Sequence, residues 1–182
     1  QSMLIHSTRI YTGRVISLDI DRVRFPDGSE GELEMVRHPG ASAIVPFLSD
    51  PAGDDPQVLL LRQYRHAAEG YLFEVPAGRL DAGETPEQCA RRELREETGC
   101  VAEHMEHMMS TYTTPGFTDE KIHLFMAVGL SQEGDAELEA DEFVEPHTVS
   151  LSRALAMIQS GEIEDAKSAL ALLYAAGFKA GL

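Results

Sequence analysis

The stretch that decides the fold runs from Gly78 to Cys100, GRLDAGETPEQCARRELREETGC, and packs five glutamates and four arginines into 23 residues. Glu93 and Glu97 lie one helical turn apart, as do Arg91 and Arg95. Like charges at that spacing weaken an isolated helix by a few tenths of a kcal/mol, so the clustering needs a cause other than helix propensity. The ends of the helix are plainly marked. Thr85 is a capping residue, Pro86 suits the first helical position and Gln88 completes a capping box. Gly99 is the stop signal. The spacing predicts a helix of about 13 residues.

On a helical wheel with about 100° per residue, Glu93 and Glu97 border the stripe formed by Cys89, Ala90 and Leu94, while Arg91 and Arg95 face water. Two carboxylates one turn apart beside an apolar stripe suffer desolvation and mutual repulsion together. A divalent cation between them removes both penalties. Oxygen ligands favour Mg²⁺, Mn²⁺ or Ca²⁺ over zinc, which would call for a Cys/His cluster. Arg92 is placed to pair with Glu96 at i,i+4. In the preceding PAGRLDAGE loop, two glycines let the chain turn sharply close to a ligand, and its carbonyls are available to a metal.

Working outward, RVISLDIDRVRF, FPDGSEG and GELEMVRH read as strand, turn and strand, part of a meander over residues 7–37. AIVPFL, QVLLLRQYR, GYLFEVPAG and KIHLFMAVGL read as strands, with QVLLLRQYR central and buried on both faces. MEHMMSTYTTPGFTDE holds a strand and a Pro-Gly loop, and QEGDAELEADEFVE is an acidic loop of about a dozen residues, a length that is usually functional or disordered. VSLSRALAMIQSG and EDAKSALALLYAAGF are helices. The order of elements predicts an α+β fold with a mixed sheet. It divides into residues 1–40, N-terminal antiparallel strands, and residues 41–182, the main domain.

The net charge of −16 argues against nucleic-acid binding by phosphate neutralisation, and no apolar run is long enough to span a bilayer. Cys89 and Cys100 are placed awkwardly for a disulfide. Two reduced thiols and the lack of a visible signal peptide lead us to expect a cytoplasmic protein. His104 and His107 could share a helix face but lack a third ligand; Met105, Met108 and Met109 are expected in the core. Tyr71, Phe73 and Phe117 are candidates to stack on a base, with core packing expected for Phe73.

These residues resemble the Nudix hydrolase family. Its signature is Gly, five residues, Glu, seven residues, then Arg-Glu-aliphatic-x-Glu-Glu-x-Gly-aliphatic. Gly78, Glu84, Arg92, Glu93, Leu94, Glu96, Glu97 and Gly99 match, and Cys100 replaces the last aliphatic residue. The resemblance implies an α/β/α sandwich around a mixed sheet and divalent-metal hydrolysis of a nucleoside diphosphate linked to another group. VRHPGASAIVPF, LLLRQYR, FEVPAGRLDAGE, TPGFTDEKIHLFMA and SGEIEDAKS are similar to the ADP-ribose pyrophosphatase branch, which also carries a proline about 15 residues past the signature. Pro115 lies 15 residues after Cys100.

What the resemblance implies for this chain is specific. Glu93 and Glu97 would ligate Mg²⁺ (or Mn²⁺), with the Ala77 carbonyl and Glu96 contributing, while Glu84 and Arg92 support the loop and helix. Arg65, Gly78 and Pro115 would lie at the substrate. The general base would come from the acidic loop, among Glu133, Glu137, Glu139, Asp141, Glu142 and Glu145, with Glu142 preferred and Glu120 a lesser candidate. ADP-ribose is the expected substrate. Another nucleoside diphosphate sugar such as GDP-mannose, or a non-catalytic ADP-ribose sensor, is the alternative. The N-terminal strands would build a homodimer.

Overall fold

The computed structural model of the chain describes residues 3–138 and 143–180. Its strands are β1 (Met3–Thr12), β2 (Ser17–Arg24), β3 (Glu30–Arg37), β4 (Ala41–Pro46), β5 (Gln57–Arg65), β6 (Gly70–Glu74), β7 (Ala77–Arg79), β8 (Cys100–Tyr112), β9 (Lys121–Gln132) and β10 (Val144–Ser150). Helix α1 (Pro86–Thr98) follows β7, and α2 (Leu151–Ser160) and α3 (Ala166–Ala175) follow β10. Strands and helices stand in the α+β arrangement expected from the sequence.

The chain forms two compact units. The first contains β1 to β3 up to Gly40, together with Thr111–Ile122. Its strands make an antiparallel sheet in the order β1-β2-β3. The buried side of β2 is carried by Asp19, Asp21 and Val23, an unusual content for a strand interior, and it is made tolerable by pairing. Asp19 is gripped by Arg9 and Arg37, and Asp21 by Arg37 and by the Ser7 hydroxyl at 2.7 Å. Hydrogen bonds from Arg9 and Arg37 hold the Asp19 carboxyl below its ordinary range. Every described residue of β1 is exposed.

The second unit contains the rest of the chain from Ala41, apart from that segment. It holds two sheets, β10-β5-β6 and β7-β4-β9-β8. As expected, β5 is central, and Val58 to Leu61 are all buried. Strand β4 is buried at every residue. Ile44 packs with Ala90 and Leu94 of α1 and with Cys100, Phe125 and Ala127, while α3 also lies against β4.

Helix α1 has the 13 residues, the capping box at Thr85 and Gln88 and the Gly99 terminus that the spacing predicts. Its start is tied to β4, because the Ser42 hydroxyl donates to the Pro86 carbonyl at 2.8 Å. Its end is strapped by the chain leaving β9. The Glu133 amide donates to the Gly99 carbonyl at 3.0 Å, the Glu137 amide to the Glu96 carbonyl at 2.7 Å, and the Gln132 side chain to the carbonyls of Thr98 and Gly134. These donors satisfy carbonyls that a helix end leaves open.

Three local expectations need correction. GYLFEVPAG is two strands, because Val75 and Pro76 break it and β7 pairs with β4 instead of continuing β6. Val144 and Glu145 are not loop. They begin β10, which runs antiparallel to β5 up to Ser150, the residue that caps α2. The alternation there is masked by Glu145, Pro146 and His147, which suit a sheet edge. His104 and His107 sit on strand β8, not on a helix.

Gly99 adopts φ 71°, and a Cβ there would come within 2.1 Å of the Gly134 carbonyl oxygen. Left-handed strain and a backbone clash therefore combine. Gly99→Ala should lower unfolding free energy by at least about 2 kcal/mol, read as a fall in the urea midpoint with an unchanged slope.

Candidate active site

The site is built where β7 hands the chain to α1. Strand β7 pairs with β4 through Ala43↔Ala77, Ser42↔Gly78 and Ala41↔Arg79, which fixes the start of the loop. Facing it, Glu93 is 7% exposed and Glu97 only 3%. The sequence places these two beside the apolar stripe, and the fold buries them there. Arg91 and Arg95 face water, also as expected.

Arg92 joins loop and helix. Its Nε and Nη2 bond both Glu84 oxygens, at 2.9 and 3.0 Å. Nη2 also reaches the Arg79 carbonyl at 3.0 Å, and Nη1 bonds Glu93 at 2.7 Å and Glu96 at 3.0 Å. All five guanidinium N–H groups thus find oxygen acceptors. Its hydrogen bond with Glu84 comes first among the causes that raise the Arg92 pKa far above the ordinary arginine value. The same contact holds the Glu84 carboxyl below its usual range. The expected pair with Glu96 is therefore one arm of a wider clamp.

The Ala77 amide donates to Glu97 at 2.9 Å, so the backbone at Ala77 and the Glu97 carboxylate are adjacent. Gly78 is equally close to Glu93, since a Cβ on Gly78 would meet a Glu93 carboxylate oxygen at 1.9 Å. Only glycine leaves room for that carboxylate. Cys89, buried on the same side, is free, and desolvation pushes its thiol up to about 12. It is no nucleophile at neutral pH.

Among the described residues, no three Asp, Glu, His or Cys side chains converge closely enough to cage a metal ion by themselves. Mg²⁺ does not need such a cage, because it usually keeps several waters and takes one or two carboxylates plus substrate oxygens. Glu93, Glu97 and the one-third exposed Glu96 offer that hard-oxygen chemistry, so the donor set fits a divalent cation.

Arg65 ends β5, and its Nε and Nη2 bond both oxygens of Glu74 at 2.7 and 2.8 Å. Glu74 is only 2% exposed and is also bonded by Lys167. Burial pushes the Glu74 carboxyl up, but Arg65 and Lys167 outweigh it and hold the group below its ordinary value. Neither Glu74 nor Lys167 is evident as a functional residue from the sequence. The available signal was a lone carboxylate in the apolar run GYLFEVPAG.

The remaining candidates are spread out. Glu142, Glu139 and Asp141 lie outside the described residues. Glu145 pairs with Arg62 at 3.1 Å, and the Glu137 carboxylate lies 3.7 Å from Arg95. In the first unit, Pro115 is exposed, Glu120 accepts from the Thr113 hydroxyl at 2.8 Å, and Phe117 is exposed. Tyr71 is exposed with the Arg62 guanidinium 4.0 Å from its ring centre, whereas Phe73 is half-buried against His147. Met108 is buried, as expected.

Comparison with known proteins matches a NUDIX domain to residues 38–171. The chain is 41% identical over 171 residues to an ADP-ribose pyrophosphatase of Bacillus subtilis, covering 93% of this chain and 90% of that one. It is 42% identical over the same length to a methanol dehydrogenase activator of Bacillus methanolicus. A solved ADP compounds hydrolase superposes with a TM-score of 0.79 at 21% identity, covering 96% of this chain and 91% of its own, which shows a common fold.

The Gly78→Ala substitution should expel the Glu93 carboxylate from its place while disturbing only a side-chain tip. Divalent-cation affinity measured by calorimetry should fall about 10- to 100-fold, with the thermal midpoint little changed.

Proposed function

The chain belongs to the NUDIX family, and from that premise we infer that it hydrolyses the diphosphate of ADP-ribose to AMP and ribose 5-phosphate. The carrying observation is that Arg92 hydrogen-bonds Glu84, Glu93 and Glu96, while Glu93 fills the space against Gly78 and Glu97 accepts from the neighbouring Ala77 amide. This accompanies high identity to an ADP-ribose pyrophosphatase over nearly the whole chain.

NUDIX hydrolases use divalent metal ions, and Mg²⁺ is the ion proposed here. Glu93, Glu97 and Glu96, with the Ala77 carbonyl, would hold it. When bound, such ions neutralise diphosphate charge and lower the pKa of water. Arg92 keeps the carboxylates in register by occupying one side of Glu93 and Glu96. Arg65 meets a phosphate oxygen with its guanidinium. Glu142 takes the proton as water adds to phosphorus and the bond from phosphorus to the bridging oxygen breaks. Gly78 lines the substrate path.

The protein would act in the cytoplasm, as its two buried free thiols suit a reducing compartment, and no helix among the described residues is long and apolar enough to cross a membrane. Residues 1–40 would pair two copies. In support, Met3, Leu4, Ile5, Ile10 and Tyr11 of β1 are all exposed, a large apolar content for a free strand edge.

With Mg²⁺, AMP should appear from ADP-ribose faster than nucleotide appears from GDP-mannose. Glu97→Gln should lower that rate by about 100-fold or more, resolved by chromatography of the products. Turnover of GDP-mannose alone would move the chain to a sister activity, and ADP-ribose binding without any turnover would make it a sensor. Light scattering should give twice the chain mass, and Ile10→Lys should shift it towards one.

A further inference from the structure

Arg65 and Glu74 form a cluster whose chemistry exceeds what a structural ion pair requires. Glu74 is a buried carboxylate that engages the Nε–Nη2 edge of Arg65 bidentately, and Lys167 supplies a second cation. Lys167 is itself held by Asp165, 3.0 Å away. Asp165 caps α3 by accepting from the Ser168 amide at 2.9 Å, and the Ser168 hydroxyl accepts from the Val75 amide at 2.8 Å. The cluster therefore ties the ends of β5 and β6 to the start of α3 and gives the carboxylate a fixed seat.

Two facts turn this toward the substrate. Arg65 is 39% exposed at its side chain, and its Nη1 donates to no group among the described residues. Its partner Glu74 also lies three residues before Ala77, whose amide donates to Glu97 at 2.9 Å. A guanidinium gripped on one edge and open on the other is pre-organised for end-on anion recognition.

We propose that Glu74 is a positioning residue: with Lys167 it fixes the Nε–Nη2 edge of Arg65 so that the Nη1 edge is presented to a phosphate of the nucleoside diphosphate. The inference rests on the hydrolase function proposed above. A flexible arginine in a chain with a net charge of −16 would fold onto other carboxylates. Glu74 prevents this by offering a better partner and keeps the cation available for the phosphate.

The test is a double-mutant cycle in kcat/KM with Arg65→Ala, Glu74→Gln and the double variant, read on whichever nucleoside diphosphate sugar the wild type hydrolyses. A wrong substrate assignment then shows in the wild-type rates and a wrong inference in the cycle. Each single substitution should cost about 100-fold, and the double variant should be no worse than Arg65→Ala alone. Millimolar guanidinium should restore activity to Arg65→Ala but not to the double variant, because the carboxylate that seats the added cation is gone. Multiplied losses, or equal rescue of both, would overturn the proposal. Far-UV circular dichroism checks folding. If Glu74→Gln fails to fold, Lys167→Met takes its place in the cycle with the same expected non-additivity.

Discussion

The clamp made by Arg92 is the interaction on which the site depends. Glu93 and Glu97 are nearly buried on one helix, one turn apart, and two such carboxylates left alone would be forced to give up charge or solvent exclusion. Arg92 offers its donors to Glu84 and the Arg79 carbonyl on the loop and to Glu93 and Glu96 on the helix. A lysine could not replace it, since one ammonium has three donors and no planar fork. Loop and helix are held by the same cation that offsets part of the acidic charge. The fold can therefore keep these carboxylates at low exposure.

The protein uses buried charge repeatedly, and each time as a joint between elements distant in sequence. Glu74 links β5, β6 and α3 through Arg65 and Lys167. In the N-terminal unit, Asp19 and Asp21 of β2 meet Arg9 of β1 and Arg37 of β3. Such joints are poor sources of net stability, because desolvation consumes most of the attraction. What they supply is geometry: a half-made network leaves an uncompensated buried charge, so alternative packings are penalised. The apolar contacts of Ile44, Leu94 and Phe125 hold α1 on its sheet, and the ionic joints set where its functional groups point.

The legibility of these features in sequence follows their range. The cap, the Pro86 start and the Gly99 stop act within one turn of the helix, so α1 was readable to the residue. Burial of Glu93 and Glu97 was readable from the wheel, because 3.6-residue periodicity fixes which side chains share a face. Strand β10 was not readable, since its pairing with β5 joins residues more than 80 apart, from Val144↔Gln63 to Ser150↔Gln57, and its edge position admits Pro146 and charged neighbours that hide the alternation. The family signature named Glu84 and Arg92 but not their contact geometry.

By itself, the sequence determined the helix, its acidic face, the glycines that let the loop approach it, and the chemical class of cation that face suits. These rest on local backbone preferences and on charge, which neighbouring residues carry with them. Only the tertiary structure decided that Gly78 must lack a side chain because Glu93 fills the space, that the segment after Gln132 closes the end of α1, and that Glu74 seats Arg65. Each of these depends on atoms brought together by the closing of distant segments. No local pattern records such a contact, because its energy is set by burial and distance that exist only once the chain has folded.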